Sequence, residues 1–272
     1  MTPFTGKTVT VTGAGRGIGR GIAEAFAAAG ANVMLGARTM SYAEEALAAI
    51  RTAGGTAETF HLEVKDKAGC IALVAATVER FGGIDILIHS AADIAHGGLG
   101  QVSDEALEAG FASIAKAAWW LLEAARPYLS QAQGGGRYIA IGSVNGPVTM
   151  VPGMTAYGMA KAALDAFIRG AALDVVAENI TVNAVVPGFI ASARAVAVLG
   201  DAGVATYGAG VPVGRAGTPA DIAHACFYLA DARASYVTGT NIKVDGGATI
   251  STSQRGGFLD QQLQKQHAKV AQ

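Results

Sequence analysis

The sequence predicts an α/β fold, a doubly wound parallel sheet within a single domain, on three observations. Thr8 to Thr12 is a β-branched run, Gly13 to Gly19 a glycine-rich turn, and the alanine-rich segment to Gly30 a helix. This strand and helix alternation continues along the chain, which calls for parallel strands covered by helices on both faces. The 272 residues contain no linker-like stretch and suffice for one large core.

The elements follow in order. Asn32 to Ala37 reads as a second apolar strand, and Ser41 with Glu44 predicts a capping box for a helix that Gly54 and Gly55 end. Thr59 to Val64 reads as a third strand, Lys67 to Phe81 as a helix, and Ile84 to His89 as a fourth strand with apolar neighbours on both faces. Ser103, followed by Asp104 and Glu105, opens a long helix running to Leu129, and Gly134 to Gly136 break the chain before a strand from Arg137 to Gly142. A helix from Ala156 to Glu178, a sixth strand from Thr181 to Val186, a helix capped by Thr218-Pro219 and a last strand from Thr240 to Val244 complete the domain. Two stretches lack clear periodicity. Residues 188–217, rich in glycine and alanine, are expected to form a substrate lid within a domain spanning 1–248, and the polar residues 249–272 a loosely attached arm.

A net charge of -1 offers no basic surface for nucleic acid or an anionic membrane. The partner is expected to be a small molecule. With 51% hydrophobic and 15% charged residues, apolar surface is available for the core and for subunit contacts. Cys70 and Cys226 have no cysteine or histidine neighbours at metal-ligand spacing, so neither a disulfide nor a metal is expected. The first strand follows Met1 too closely for a signal peptide, and no apolar run approaches the ~20 residues of a membrane span, so the expected location is the cytoplasm.

Gly13, Gly17 and Gly19 form the pattern G-x-x-x-G-x-G. Such a turn brings backbone into contact with a phosphate at a helix N-terminus, where unpaired N–H groups and the dipole favour an anion. Ile18 stands where G-x-G-x-x-G would need its third glycine, and a plain strand-to-helix turn is the alternative reading. Tyr157 and Lys161 lie four apart near the start of a helix and share one face. At roughly 5 Å and an effective dielectric of about 20, an ammonium favours a phenolate by about 3 kcal/mol, roughly two pK units. That shift would bring the tyrosine into range as a general acid or base, while a solvated helix face is the alternative. Ser143 closes a strand at the carboxyl edge of the sheet, where ligands bind in open α/β folds, and its hydroxyl suits a carbonyl oxygen.

With the glycine turn, Ser143, Tyr157 and Lys161 in this order, the chain from Lys7 to Gly247 resembles the short-chain dehydrogenase/reductase family. The family's T-G-x-x-x-G-x-G stands as Thr12 to Gly19, its Y-x-x-x-K as Tyr157 to Lys161 and its P-G as Pro187-Gly188. The resemblance implies a Rossmann-type sheet of seven parallel strands and hydride transfer between a nicotinamide and a carbonyl or secondary alcohol. It implies that Tyr157 donates or accepts the hydroxyl proton, that Lys161 also holds the nicotinamide ribose, and that Ser143 orients the substrate oxygen. The implied cofactor set is Gly13, Arg16, Gly17, Ile18 and Gly19 in the turn, Arg38, then Glu63, Val64 and Ala91 beside the adenosine, Tyr157 and Lys161. Pro187, Gly188 and Ile190 would face the nicotinamide carboxamide. A homotetramer paired through the two long helices is also implied. Trp119 and Trp120 are adjacent there, so one would reach a neighbouring subunit or both would pack in the core.

The chain departs from the family in places. Its N-N-A-G is His89-Ser90-Ala91-Ala92, and the asparagine of the following helix is Ser113 or Ile114. In the family that asparagine supports a water chain to the lysine, so the departure bears on proton relay. His89 reads as a hydrogen-bonded structural residue, with a substitute proton carrier as the second reading. Glu63 replaces the usual aspartate beside the adenine. The second strand ends at Ala37, where NAD-specific folds carry an acid, and Arg38 follows at once. Arg16 and Arg38 together predict two guanidinium groups on a 2′-phosphate, and hence NADP(H). The expected function is that of a short-chain NADP(H)-dependent carbonyl reductase or alcohol dehydrogenase. The rival is a cofactor-binding protein of the same fold with little turnover, and enoyl reduction is disfavoured because that branch spaces tyrosine and lysine more widely. Residues 93–98, 150–154 and the lid are expected to line the substrate pocket, and their mostly small or apolar character predicts an uncharged substrate.

Overall fold

The computed structural model describes residues 3–251, so most of the predicted C-terminal arm lies outside the described residues. Among the described residues, seven strands form one parallel sheet: β1 (Thr8–Thr12), β2 (Asn32–Ala37), β3 (Thr56–His61), β4 (Ile86–His89), β5 (Gly136–Ile141), β6 (Ile180–Pro187) and β7 (Asn241–Val244). Their order is β3-β2-β1-β4-β5-β6-β7, which reverses direction between β1 and β4 and opens a crevice at their carboxyl ends. The helices are α1 (Gly17–Ala28), α2 (Met40–Thr52), α3 (Lys67–Phe81), α4 (Asp104–Phe111), α5 (Ala117–Leu129), α6 (Thr155–Val175), α7 (Ala193–Ala209) and α8 (Pro219–Ala230).

Two apolar layers sandwich the sheet because its strands carry buried side chains on both faces. Val9 and Val11 of β1 pack with Ile22 and Phe26 of α1, Ile50 of α2 and Cys226 of α8. On the other face Leu87 and Tyr138 meet Leu73 of α3, Leu121 of α5 and Leu164 of α6. Thr10 faces this second layer, where its hydroxyl lies 3.3 Å from that of Thr77. Each fully buried leucine, isoleucine or phenylalanine contributes about 1.5–3 kcal/mol, so the layers outweigh the weak local helix preferences.

Several elements differ from the sequence reading. β3 pairs with β2 from Asn32 opposite Thr56 to Ala37 opposite His61, so it ends with its neighbour and leaves Glu63 and Val64 in the turn beyond. α2 begins at Met40 behind Thr39, one residue ahead of Ser41, and no side chain bonds its cap; the Ser41–Glu44 capping box does not form. The long helix from Ser103 is α4 and α5 joined by a π-helical segment, Ala112–Lys116. The stretch 188–217 holds α7, opened by the Ser192 hydroxyl accepting from the Ala195 N–H at 3.3 Å. Only Val204 and Gly208 of α7 are buried, and Gly200 interrupts it at φ 67, which is why its periodicity is faint in the sequence. α8 opens on a capping box between Thr218 and Asp221.

Candidate active site

The crevice is shaped first by the turn after β1. Gly13 has φ 69, and a Cβ there would stand 2.9 Å from the Ala91 backbone, so only glycine lets the ends of β1 and β4 close up. α1 starts at Gly17 behind Arg16 with no side-chain cap for its first-turn N–H groups, and Gly17, Ile18 and Gly19 line the cleft. Thr12 Oγ1 accepts from the Ser90 and Ala91 N–H groups at 3.1 and 3.2 Å and lies 2.9 Å from His89 Nδ1. His89 Nε2 lies 3.2 Å from the Ile114 carbonyl oxygen. A carbonyl only accepts, so Nε2 carries the proton and Nδ1 accepts from the Thr12 hydroxyl, an assignment made from the network. Burial, reinforced by the charge of Lys161, holds the imidazole down at about 4, so the ring is neutral. It ties the ends of β1 and β4 to the π segment. Ser113 Oγ, also in that segment, accepts from the Asp93 N–H at 2.9 Å and donates to the Gly110 carbonyl at 3.1 Å.

The opposite wall comes from β5 and α6. Gly146 has φ 114, and a Cβ there would fall on the Gly158 carbonyl oxygen, so this glycine allows the loop after β5 to lie against the first turn of α6. Ser143 and Tyr157 are thereby brought together, and Ser143 Oγ accepts from the Asn145 N–H at 3.1 Å. Lys161 is 4% exposed; its Nζ donates to the Ile141 carbonyl at 2.6 Å and stands 5.6 Å from the centre of the Tyr157 ring. Burial draws this ammonium down to about 7. Burial also raises the Tyr157 phenol above its ordinary value, opposed by hydrogen bonding with Ser143 and by the charge of Arg194. The sequence reading had the lysine lowering the phenol. Both groups are withdrawn from water, which disfavours the charged form of each.

A cleft of about 820 Å³ joins these walls. Gly13, Arg16, Gly17, Ile18, Gly19, Arg38, Glu63, Val64, Ala91, Ser143, Tyr157, Lys161, Pro187, Gly188 and Ile190 all line it. Arg16 and Arg38 have separate partners: the Arg16 guanidinium lies 5.5 Å over the Tyr42 ring, and Arg38 reaches both Asp93 carboxylate oxygens at 3.2 Å. Lys65 shares that carboxylate at 3.3 Å. The glycine cradle, the uncapped N-terminus of α1 and the absence of an acid at Ala37 fit a dinucleotide with its phosphates on α1. His96 and Arg194 lie in the segments that the sequence places along the pocket, 93–98 and the lid, and line the same cleft, but they put polar groups in a wall expected to be small and apolar. The available signal was one arginine just beyond Ser192 in an otherwise apolar stretch.

A family profile described as Enoyl-(Acyl carrier protein) reductase matches residues 13–249. The chain belongs to the short-chain dehydrogenase/reductase family. Within this family it is 38% identical over 245 residues to an uncharacterized oxidoreductase of Mycobacterium tuberculosis, covering 90% of this chain and 92% of that one. A solved 7 alpha-hydroxysteroid dehydrogenase, complexed with NADH and 7-oxo glycochenodeoxycholic acid, superposes with a TM-score of 0.84 at 27% identity, covering 92% of this chain and 97% of that one. A putative NAD(P) dependent gluconate 5-dehydrogenase from Beutenbergia cavernae with bound NADP has a TM-score of 0.83 at 32% identity, over 92% and 100% of the two chains. The protein is thus an oxidoreductase of this family, with its Rossmann-type sheet. Among the described residues no helix is long and apolar enough to cross a membrane.

Proposed function

We propose that the protein is an NADP(H)-dependent carbonyl reductase or alcohol dehydrogenase, with residues 1–248 as its cofactor-binding domain and residues 188–217 as a lid. The reading rests above all on the convergence of Ser143, Tyr157 and buried Lys161 on the cleft that also holds the glycine turn. The nicotinamide, when bound, supplies or takes the hydride. Ser143 Oγ donates a hydrogen bond to the substrate oxygen and orients it. Tyr157 Oη delivers the proton to that oxygen, and a phenol held above its ordinary pKa is protonated at neutral pH, which suits it to carbonyl reduction. Lys161, fixed by the Ile141 carbonyl, stands beside the phenol ring and holds the ribose.

Loss of NADPH absorbance in the presence of a panel of ketones tests this reading, with Tyr157→Phe as the control. The variant should lose nearly all turnover and keep its cofactor affinity, because the change deletes a proton donor and little apolar contact. Activity within about tenfold of wild type, a loss of less than about 1.4 kcal/mol in barrier terms, would refute the mechanism. The proposed assembly is a cytoplasmic homotetramer paired through α4–α5 and α6.

A further inference from the structure

The substrate half of the cleft carries a charge that the reaction above does not use. Arg194 stands just inside α7, and its Nη2 donates to His96 Nε2 at 3.0 Å, so the contact spans from the lid to the loop between β4 and α4. Both residues line the cleft that Tyr157 lines. Of the other arginines that line the cleft, Arg38 holds the Asp93 carboxylate and Arg16 lies over the Tyr42 ring. Arg194 pairs with an imidazole nitrogen of His96 across the cleft mouth, and among the described residues no carboxylate lies within ion-pair distance of it. The lining of the cleft also includes apolar side chains, among them Met154, Val198 and the tilted pair Phe189 and Tyr207, with ring centres 4.1 Å apart. An apolar wall interrupted by a guanidinium that lacks an acid is suited to a molecule with an apolar body and one negative charge. The imidazole accepts a single N–H, whereas a carboxylate accepts two in the bidentate geometry that a guanidinium prefers.

We infer that Arg194 is a specificity-determining residue that binds a carboxylate on the substrate, so that the enzyme acts on an oxo acid or hydroxy acid with an apolar body. The inference rests on the oxidoreductase reading of the site and replaces the expectation of an uncharged substrate. It also links recognition to chemistry. The charge of Arg194 draws the Tyr157 phenol toward ionisation, so a carboxylate on the guanidinium relieves that pull and leaves the phenol protonated as a donor.

The test compares two keto acids, levulinate and cyclohexanone carboxylate, each with its own methyl ester, in calorimetric binding to the NADPH-saturated protein and in turnover. Each acid should bind wild type about tenfold or more tightly than its ester, as charge-assisted hydrogen bonds predict. Arg194→Gln should bring each pair within about twofold, Arg194→Lys should keep part of the preference, and Tyr157→Phe should keep the preference while losing turnover. Equal binding of acid and ester by wild type, or a preference that survives Arg194→Gln, overturns the inference. A loss of NADPH affinity in Arg194→Gln with the acid preference intact overturns it too, and assigns the guanidinium to the cofactor phosphates. An Arg194-dependent acid preference without turnover supports the carboxylate site and counts against the oxidoreductase reading instead.

Discussion

His89 shows how far a single side chain can be read from its partners. Its Nδ1 takes the Thr12 hydroxyl and its Nε2 serves the Ile114 carbonyl, so an added proton would set an N–H against a hydroxyl that already accepts two amides. The folded imidazole titrates at about 4 against an ordinary value of 6.5. Between these values the unfolded chain binds a proton that the fold does not, so stability rises with pH through this window and is lost as pH falls toward 4. The contribution is about 3 kcal/mol at most. His89→Asn should flatten the dependence of urea-unfolding free energy between pH 4 and 7 relative to wild type; parallel curves would show that this ring does not titrate as argued. Arg38 carries a separate expectation. It lies at the end of β2, where no acid repels a 2′-phosphate, and a phosphate would have to displace its exposed pairing with Asp93, which is worth only about 0–1 kcal/mol. NADPH should therefore be preferred over NADH by about tenfold to a hundredfold, or roughly 1.5–3 kcal/mol. Arg38→Ala should abolish most of that preference in the ratio of dissociation constants, and a ratio left intact would remove Arg38 from phosphate recognition.

At the scale of elements, the site depends on how closely the loop after β5 approaches α6. Gly146, at φ 114, and Gly158 let backbone meet backbone there, and this contact places Ser143 against Tyr157 one turn into the helix. Gly146→Ala must either flip the loop or push the first turn of α6 away. A strained left-handed alanine costs about 1–3 kcal/mol, and displacement of the pair lowers turnover beyond what the stability loss explains. The expected result is a lower unfolding midpoint with kcat reduced by about tenfold or more, since small displacements of catalytic groups are costly. A variant that loses stability but keeps kcat would show that the contact serves the fold alone. The π segment between α4 and α5 acts similarly, because it presents the Ile114 carbonyl to His89.

At the scale of the whole molecule, large apolar side chains stand exposed on α5 and α6. Trp119 on α5 is 56% exposed, and Met159 and Leu173 on α6 are 47% and 79% exposed. These are large apolar groups on adjacent helices, and Trp119 leans toward Phe167 of α6 with ring centres 6.3 Å apart. Trp120 is instead partly buried against the core, so the adjacent tryptophans diverge as their helical spacing requires. Exposed large apolar side chains on these two helices support the proposed pairing through α4–α5 and α6. Wild type should show an oligomeric mass by light scattering at micromolar concentration, and Leu173→Glu should reduce it. A monomeric wild type would refute the assembly.

Taken by itself, the sequence determined the order and kind of nearly every element and the position of the glycine turn between β1 and α1, because periodicity, caps and glycine breaks act within a few residues. Lys67–Phe81 and Asn32–Ala37 have the same bounds in the sequence reading and in the fold. The motif spacing of Tyr157 and Lys161 was legible for the same reason. α7 was not, since an alanine-rich helix resting on two buried residues has almost no apolar stripe to detect. Tertiary structure alone decided the ionisation of Tyr157 and Lys161, since burial is a property of the packed layers and not of the spacing between two residues. It also decided the contacts between Thr12 and His89, 77 residues apart, and between Arg194 and His96, 98 apart. Such pairs meet only because the strand order brings the carboxyl ends of β1, β4 and β6 to one edge, and no local pattern encodes where three separate strand ends will meet.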